Sequence, residues 1–234
     1  MADTLYLSLW YPNLRLEAMA DKLTAVLGAF AAHGGEARVY SATVWPVSWS
    51  ESPVLQNVYG RRGRSADGSP AAGGAGAEPR VAVEEALELL HDDYAYEFQI
   101  GWSLWELEPG TVASASRAAG PADGFDAGLD ADSDARWVRA PRLVRVTAYG
   151  PLFDDGAYEA DGHIRVDFGP DGPFLEEAVE LDSAEARHVE ENVRQLVALT
   201  SAIEKASGAT ARLLWSELGE SLAERLASRL GVGN

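Results

Sequence analysis

Residues 96–104, Tyr-Glu-Phe-Gln-Ile-Gly-Trp-Ser-Leu, alternate between two classes of side chain. Tyr96, Phe98, Ile100, Trp102 and Leu104 fall on one side, and Glu97, Gln99, Gly101 and Ser103 on the other. A period of two is that of a β-strand, whose successive side chains leave by opposite faces. The stretch therefore predicts a strand with one buried face. Residues 4–10, Thr-Leu-Tyr-Leu-Ser-Leu-Trp, repeat the pattern with Leu5, Leu7 and Leu9 inward. So do residues 163–168, where Ile164, Val166 and Phe168 alternate with His163, Arg165 and Asp167.

Between these strands the period changes. Leu16, Met19, Leu23, Val26, Leu27 and Phe30 form a helical stripe, with Asn13 as its expected N-cap and Gly34-Gly35 as its end. Residues 38–49 read as a strand rich in β-branched and aromatic side chains, which Pro46 confines at its end to an edge or a bend. Residues 54–59 read as its short partner. Residues 80–91 read as a helix with Val83, Leu87 and Leu90 on one face. The first half thus has the order β-α-β-β-α-β, which predicts a ferredoxin-like unit.

Residues 142–149 and 163–168 add strands, and Gly169-Pro-Asp-Gly172 predicts a hairpin turn into Phe174-Leu175. Asp182 with Glu185 predicts the start of a helix whose buried stripe is Val189, Val193, Leu196, Thr200 and Ile203, and Gly208 ends it. Leucines at i+4 spacing predict a last helix over 215–230, leaving 210–214 open between strand and helix. The fold class expected is α+β, an antiparallel or mixed sheet of about six to seven strands with helices packed on it. Residues 61–80 and 108–136 are poor in anything to bury and read as mobile loops. One domain over 1–234 is expected, the alternative being sub-domains 1–107 and 137–234.

Charge narrows the partners. The net charge is −18, and residues 154–191 hold thirteen carboxylates against two arginines. Residues 121–134 add five aspartates and no base. A surface so negative repels nucleic acid and anionic lipid and attracts cationic proteins. The arginines at 136, 139, 142 and 145 are a local exception. The composition of a GC-rich bacterial genome, the absence of cysteine, and an N-terminus unlike a signal peptide predict a cytoplasmic bacterial protein. No apolar run reaches the ~18–20 residues that span a bilayer.

Few constellations carry chemistry. Glu88/His91 and Glu185/His188 each share a helix face but lack the further inward carboxylates of a dimetal site. Asp130-x-Asp132-x-Asp134 opens like a calcium loop, then has Ala135 where glycine is needed and Pro141 where a bidentate glutamate is needed. Neither a metal nor a cofactor is expected. No nucleophile motif or phosphate-cradling loop occurs.

The expected function is therefore a non-enzymatic module that binds a basic protein, of the inhibitor, immunity or adaptor type. Its anchors would be Trp10, Trp45, Trp49 and Trp105, an aromatic platform on the second face of the sheet. An alternative is a small-molecule or hydrolytic enzyme near residues 150–163 with Asp154, Asp155 and His163 as polar groups. A second alternative is a structural subunit that self-associates through the tryptophans.

Overall fold

The computed structural model describes residues 3–60, 76–107, 137–175 and 183–217, together with Leu222 and Arg225. Seven strands form one sheet: β1 (Thr4–Trp10), β2 (Gly35–Pro46), β3 (Leu55–Val58), β4 (Tyr94–Leu107), β5 (Trp137–Tyr149), β6 (Ile164–Pro170) and β7 (Ala211–Ser216). Their spatial order is β3-β2-β4-β5-β6-β1-β7, and every pairing is antiparallel. The principal helices are α1 (Met19–Ala29), α2 (Pro79–Leu87) and, after the single turns α3 (Tyr158–Asp161) and α4 (Gly172–Leu175), the long α5 (Ser183–Ser207). The chain is a mixed α+β fold.

The alternation in β4 produces the core. Tyr96, Phe98, Ile100, Trp102 and Leu104 are buried, with Leu5, Leu7 and Leu9 of β1 and Ile164, Val166 and Phe168 of β6 in the same cluster. Met19, Leu23, Val26 and Leu27 of α1, Ala82, Val83 and Ala86 of α2, and Val193, Leu196, Leu199 and Ile203 of α5 complete it. All three principal helices thus cover one face. On the other face Glu97, Gln99, Arg145, Arg165 and Asp167 stand side by side across the strands.

The first six elements follow the expected succession, but their pairing is not ferredoxin-like. A ferredoxin-like order would seat β1 among β2, β3 and β4. Instead β1 lies between β6 and β7. The reason is length. β4 and β5 pair along thirteen positions, which occupies one whole edge of β4, while β2 takes the other. No edge of β4 is left for β1. The same pairing runs from one side of the 108–136 stretch to the other.

Smaller expectations also move. Asn13 does not cap a helix; it has φ +51° in a turn, and Arg15 precedes the first 3-10 turn at Leu16–Ala18. Residues 170–175 do not form a hairpin; Asp171 accepts the backbone N–H groups of Phe174 and Leu175 and starts a helical turn that buries both side chains. Residues 211–216 are strand, so Trp215 belongs to β7 rather than to a helix. Residues 218–230 of the expected last helix, apart from Leu222 and Arg225, lie outside the described residues, as do Asp182, residues 61–75 of the first expected loop and all of the second, with the 121–134 acidic tract and Arg136 in it. Gly208 does end α5, with φ +67° and its N–H on the Glu204 carbonyl.

Candidate functional site

Pro46 ends β2, and the chain then turns through Val47 in the left-handed region, φ +56°. That conformation is rare for a β-branched residue and costs about 1–2 kcal/mol or more. Backbone bonds to two other segments hold it: the Val47 N–H donates to the Asp93 carbonyl at 2.7 Å, and the Val47 carbonyl accepts from the Asp154 N–H at 2.7 Å. The Leu152 N–H donates to the Asp92 carbonyl at 2.7 Å, and the Gly150 N–H to that of Tyr94 at 2.8 Å. Residues 46–50, 91–94 and 150–156 are thereby knitted into one knob at the end of the sheet. The approach at Gly150 is so close that a Cβ there would lie 2.4 Å from the Asp92 carbonyl oxygen.

The knob is apolar at its crown. Val47 is 53% exposed, Leu152 62% and Trp49 37%. Beneath them Trp49 meets Trp45 edge-on at 5.6 Å, Phe153 at 5.1 Å and Tyr149 at 6.2 Å. Its rim is acidic: Glu51, Asp92, Asp154 and Asp155 are exposed. Asp154 and Asp155 have φ +47° and +55°, followed by Gly156 at +87°, so the Asp-Asp-Gly run is a left-handed turn. Neither aspartate side chain has a cationic partner among the described residues.

Elsewhere some of the described carboxylates are paired. Glu190 meets Arg194, Glu204 meets Arg212, and Glu191 meets Arg139. Arg142 meets Glu106 and Arg145 meets Glu97, each at 3.5 Å. The three described arginines of the 136–145 series each have a carboxylate partner.

Four of the seven residues singled out from sequence, Trp45, Trp49, Asp154 and Asp155, come together in the knob. Trp105 does not. Its indole N–H donates to Glu191 of α5, and its ring lies 4.2 Å from that of His188, which also stacks on Trp137 at 5.6 Å. Trp10 closes β1 opposite Ala211 of β7. The four tryptophans form no common platform.

His163 lines a neighbouring cleft of about 360 Å³, walled by Tyr11, Leu14, Leu16, Tyr149 and Tyr158. Asp154 and Asp155 are not part of that wall, so the three polar groups expected near 150–163 do not converge there. The His163 Nδ1 accepts the Tyr11 backbone N–H at 3.3 Å, which places the imidazole proton on Nε2. Burial lowers the pKa of His163. Its share of stability is thus complete above the ordinary imidazole value of about 6.5 and is lost as pH falls below it, because the unfolded chain takes up a proton the folded one resists. Urea unfolding at about pH 7.5 and about pH 5.5 is expected to show wild type losing more stability than His163→Asn, which keeps an acceptor and cannot titrate; equal losses would contradict this.

Sequence reasoning missed Val47 and Leu152, for which a strained turn and an exposed leucine leave no periodic signal. Val47→Gly is expected to raise stability by about 0.5–1 kcal/mol, the left-handed strain relieved less the entropy that glycine adds to the unfolded chain. A lowered urea midpoint would contradict that strain.

Chemically the knob offers apolar contact and negative charge. His91, Asp92 and Asp93 bring one ligand atom each within 4.8 Å of one another, but exposed acidic groups of this kind are common without an ion. Glu185 and His188 do not converge on a metal position, since Glu185 accepts from the Trp137 indole at 3.4 Å while His188 stacks. Among the described residues no helix is long and apolar enough to cross a membrane. No protein-family model, curated protein or solved structure matches this chain.

Proposed function

We infer that the protein is a non-enzymatic binding module whose three-segment knob docks onto a basic protein. The observation that carries this reading is the combination at one place of exposed Val47, Trp49 and Leu152 with Asp154 and Asp155, which have no cationic partner among the described residues. Interfaces concentrate their energy in a few apolar or aromatic anchors, while charge at the rim steers approach and selects partners. The net charge of −18 adds a long-range pull on any cationic surface. An inhibitor or immunity-type protein that neutralises a cationic toxin has this profile, as does an adaptor. The backbone bonds that hold Val47 in its strained turn keep the anchors in place before binding, which limits the entropy lost on association.

The test is site-specific capture. A photo-crosslinking benzoylphenylalanine is placed at Trp49 and, as a control, at Val197, which is exposed on α5. The reading expects crosslinking at position 49 but not at 197, to proteins of basic isoelectric point, with the yield falling as salt is raised. Crosslinks to acidic or neutral proteins, or equal yields at both positions, would overturn it.

A further inference from the structure

The cleft beside His163 has an unusual wall for so acidic a protein. To the residues already named it adds Asn13, Met19 and Pro151, so among the described residues of the wall there is no acidic residue, lysine or arginine. Aromatic rings stand on several sides: Tyr158 lies 4.9 Å from the His163 ring, and Tyr11 approaches it edge-on at 6.1 Å. Volumes of about 300–1,000 Å³ lined by apolar and aromatic groups with a few placed polar atoms are typical of small-molecule sites.

The charge of the occupant can be argued from the same rings. Tyrosine faces attract cations, and an aromatic cage in an acidic protein invites an ammonium ligand. Here two of the three rings already hold one of the protein's own cations: Lys22 Nζ sits 5.3 Å from the Tyr11 centroid, and the Arg165 guanidinium 5.6 Å from that of Tyr149. A second cation would find those two ring faces already taken. An anion would meet no lysine or arginine among the described residues of the wall, and the net charge of −18 repels it. What remains is an uncharged ligand.

Its polar complement follows from the hydrogen bonds. With Nδ1 occupied by the Tyr11 N–H, His163 has Nε2–H left as a donor, and no described residue accepts from it. The Tyr149 hydroxyl is committed to Asp161 at 3.2 Å. The Tyr11 and Tyr158 hydroxyls and the Asn13 amide are the other side-chain polar groups of the lining residues.

We propose that this cleft binds an uncharged planar ring bearing a carbonyl or ring-nitrogen acceptor, stacked among Tyr11, Tyr158 and His163 and hydrogen-bonded by His163 Nε2–H. This site is separate from the knob, does not depend on the protein-binding reading, and involves no covalent step.

The experiment uses three probes with one ring and different charge: benzamide, benzoate and benzylamine. Each is titrated into the full chain while the His163 imidazole and the tyrosine ring resonances are followed by NMR. Benzamide is expected to shift the His163 and Tyr158 signals saturably, with benzoate and benzylamine at least about tenfold weaker at those signals. Leu14→Trp, which fills the cleft, and Tyr158→Ala, which removes a stacking partner, are each expected to weaken benzamide about tenfold or more. Unfolding midpoints of both variants establish that they fold. Equal affinity for all three probes would overturn the proposal. So would the absence of any benzamide shift at His163, or benzamide binding unchanged in either folded variant.

Discussion

Trp102→Ala is expected to destabilise the fold by about 3–5 kcal/mol, among the largest effects of any single substitution here. The indole is fully buried at the centre of β4. Phe168 lies 5.4 Å away, Phe174 5.8 Å and Phe30 6.1 Å, so the ring joins the sheet to the segments on either side of it. Alanine would remove that contact, leave a cavity, and take from the His33 carbonyl the indole N–H that now reaches it at 2.8 Å, leaving only the Gln195 amide at 2.6 Å. Trp102→Phe keeps a ring and loses the hydrogen bond, and is expected to cost less. Urea unfolding of the three proteins measures this. A loss under about 1 kcal/mol for Trp102→Ala would mean that the aromatic cluster does not carry the core.

Trp49→Ala has its largest expected effect on binding rather than folding. Truncating a central aromatic anchor costs about 2–4 kcal/mol of affinity, roughly 30- to 1,000-fold. Trp49 is more than a third exposed and packs on Trp45 and Phe153 by its edge, so its removal is expected to cost the fold far less than removal of Trp102. Trp49→Phe retains an aromatic anchor and is expected to fall between. Affinity for the protein crosslinked at position 49, measured alongside the unfolding midpoint, separates the two effects. An affinity loss no larger than the stability loss would remove Trp49 from the interface.

Much of the fold was legible because one-sided burial writes itself into the period of the chain. β4, β1 and β6 each show it, and α1 and α5 carry their stripes at helical spacing. Strand order was not legible. β1 reads the same whether it pairs with β4 or with β6, because its leucines need only an apolar face opposite. The ferredoxin-like expectation failed on that point, since order along the chain does not record which edges the long β4–β5 hairpin has already used.

At the candidate site the legible part was composition. Asp154-Asp155-Gly156 signals a turn, and Pro46 signals the end of a strand. That those two turns meet is a product of the β4–β5–β2 register, which brings Asp93, Val47 and Asp154 within hydrogen-bond reach. Trp105 shows the opposite failure. Alternation put it on the face away from Trp102, but Asn192 of α5 pairs with both its N–H, at 2.9 Å, and its carbonyl, at 2.8 Å, and draws that end of β4 to the helix.

The acidic rim can be interrogated most directly through association kinetics. The rate at which the protein captured at Trp49 associates with the chain is measured across ionic strength, for wild type and for the double variant Asp154→Asn/Asp155→Asn. Wild type is expected to slow by about tenfold or more between low and physiological salt, with a shallower dependence in the double variant. A wild-type rate indifferent to salt, or identical slopes for the two proteins, would contradict docking through this knob.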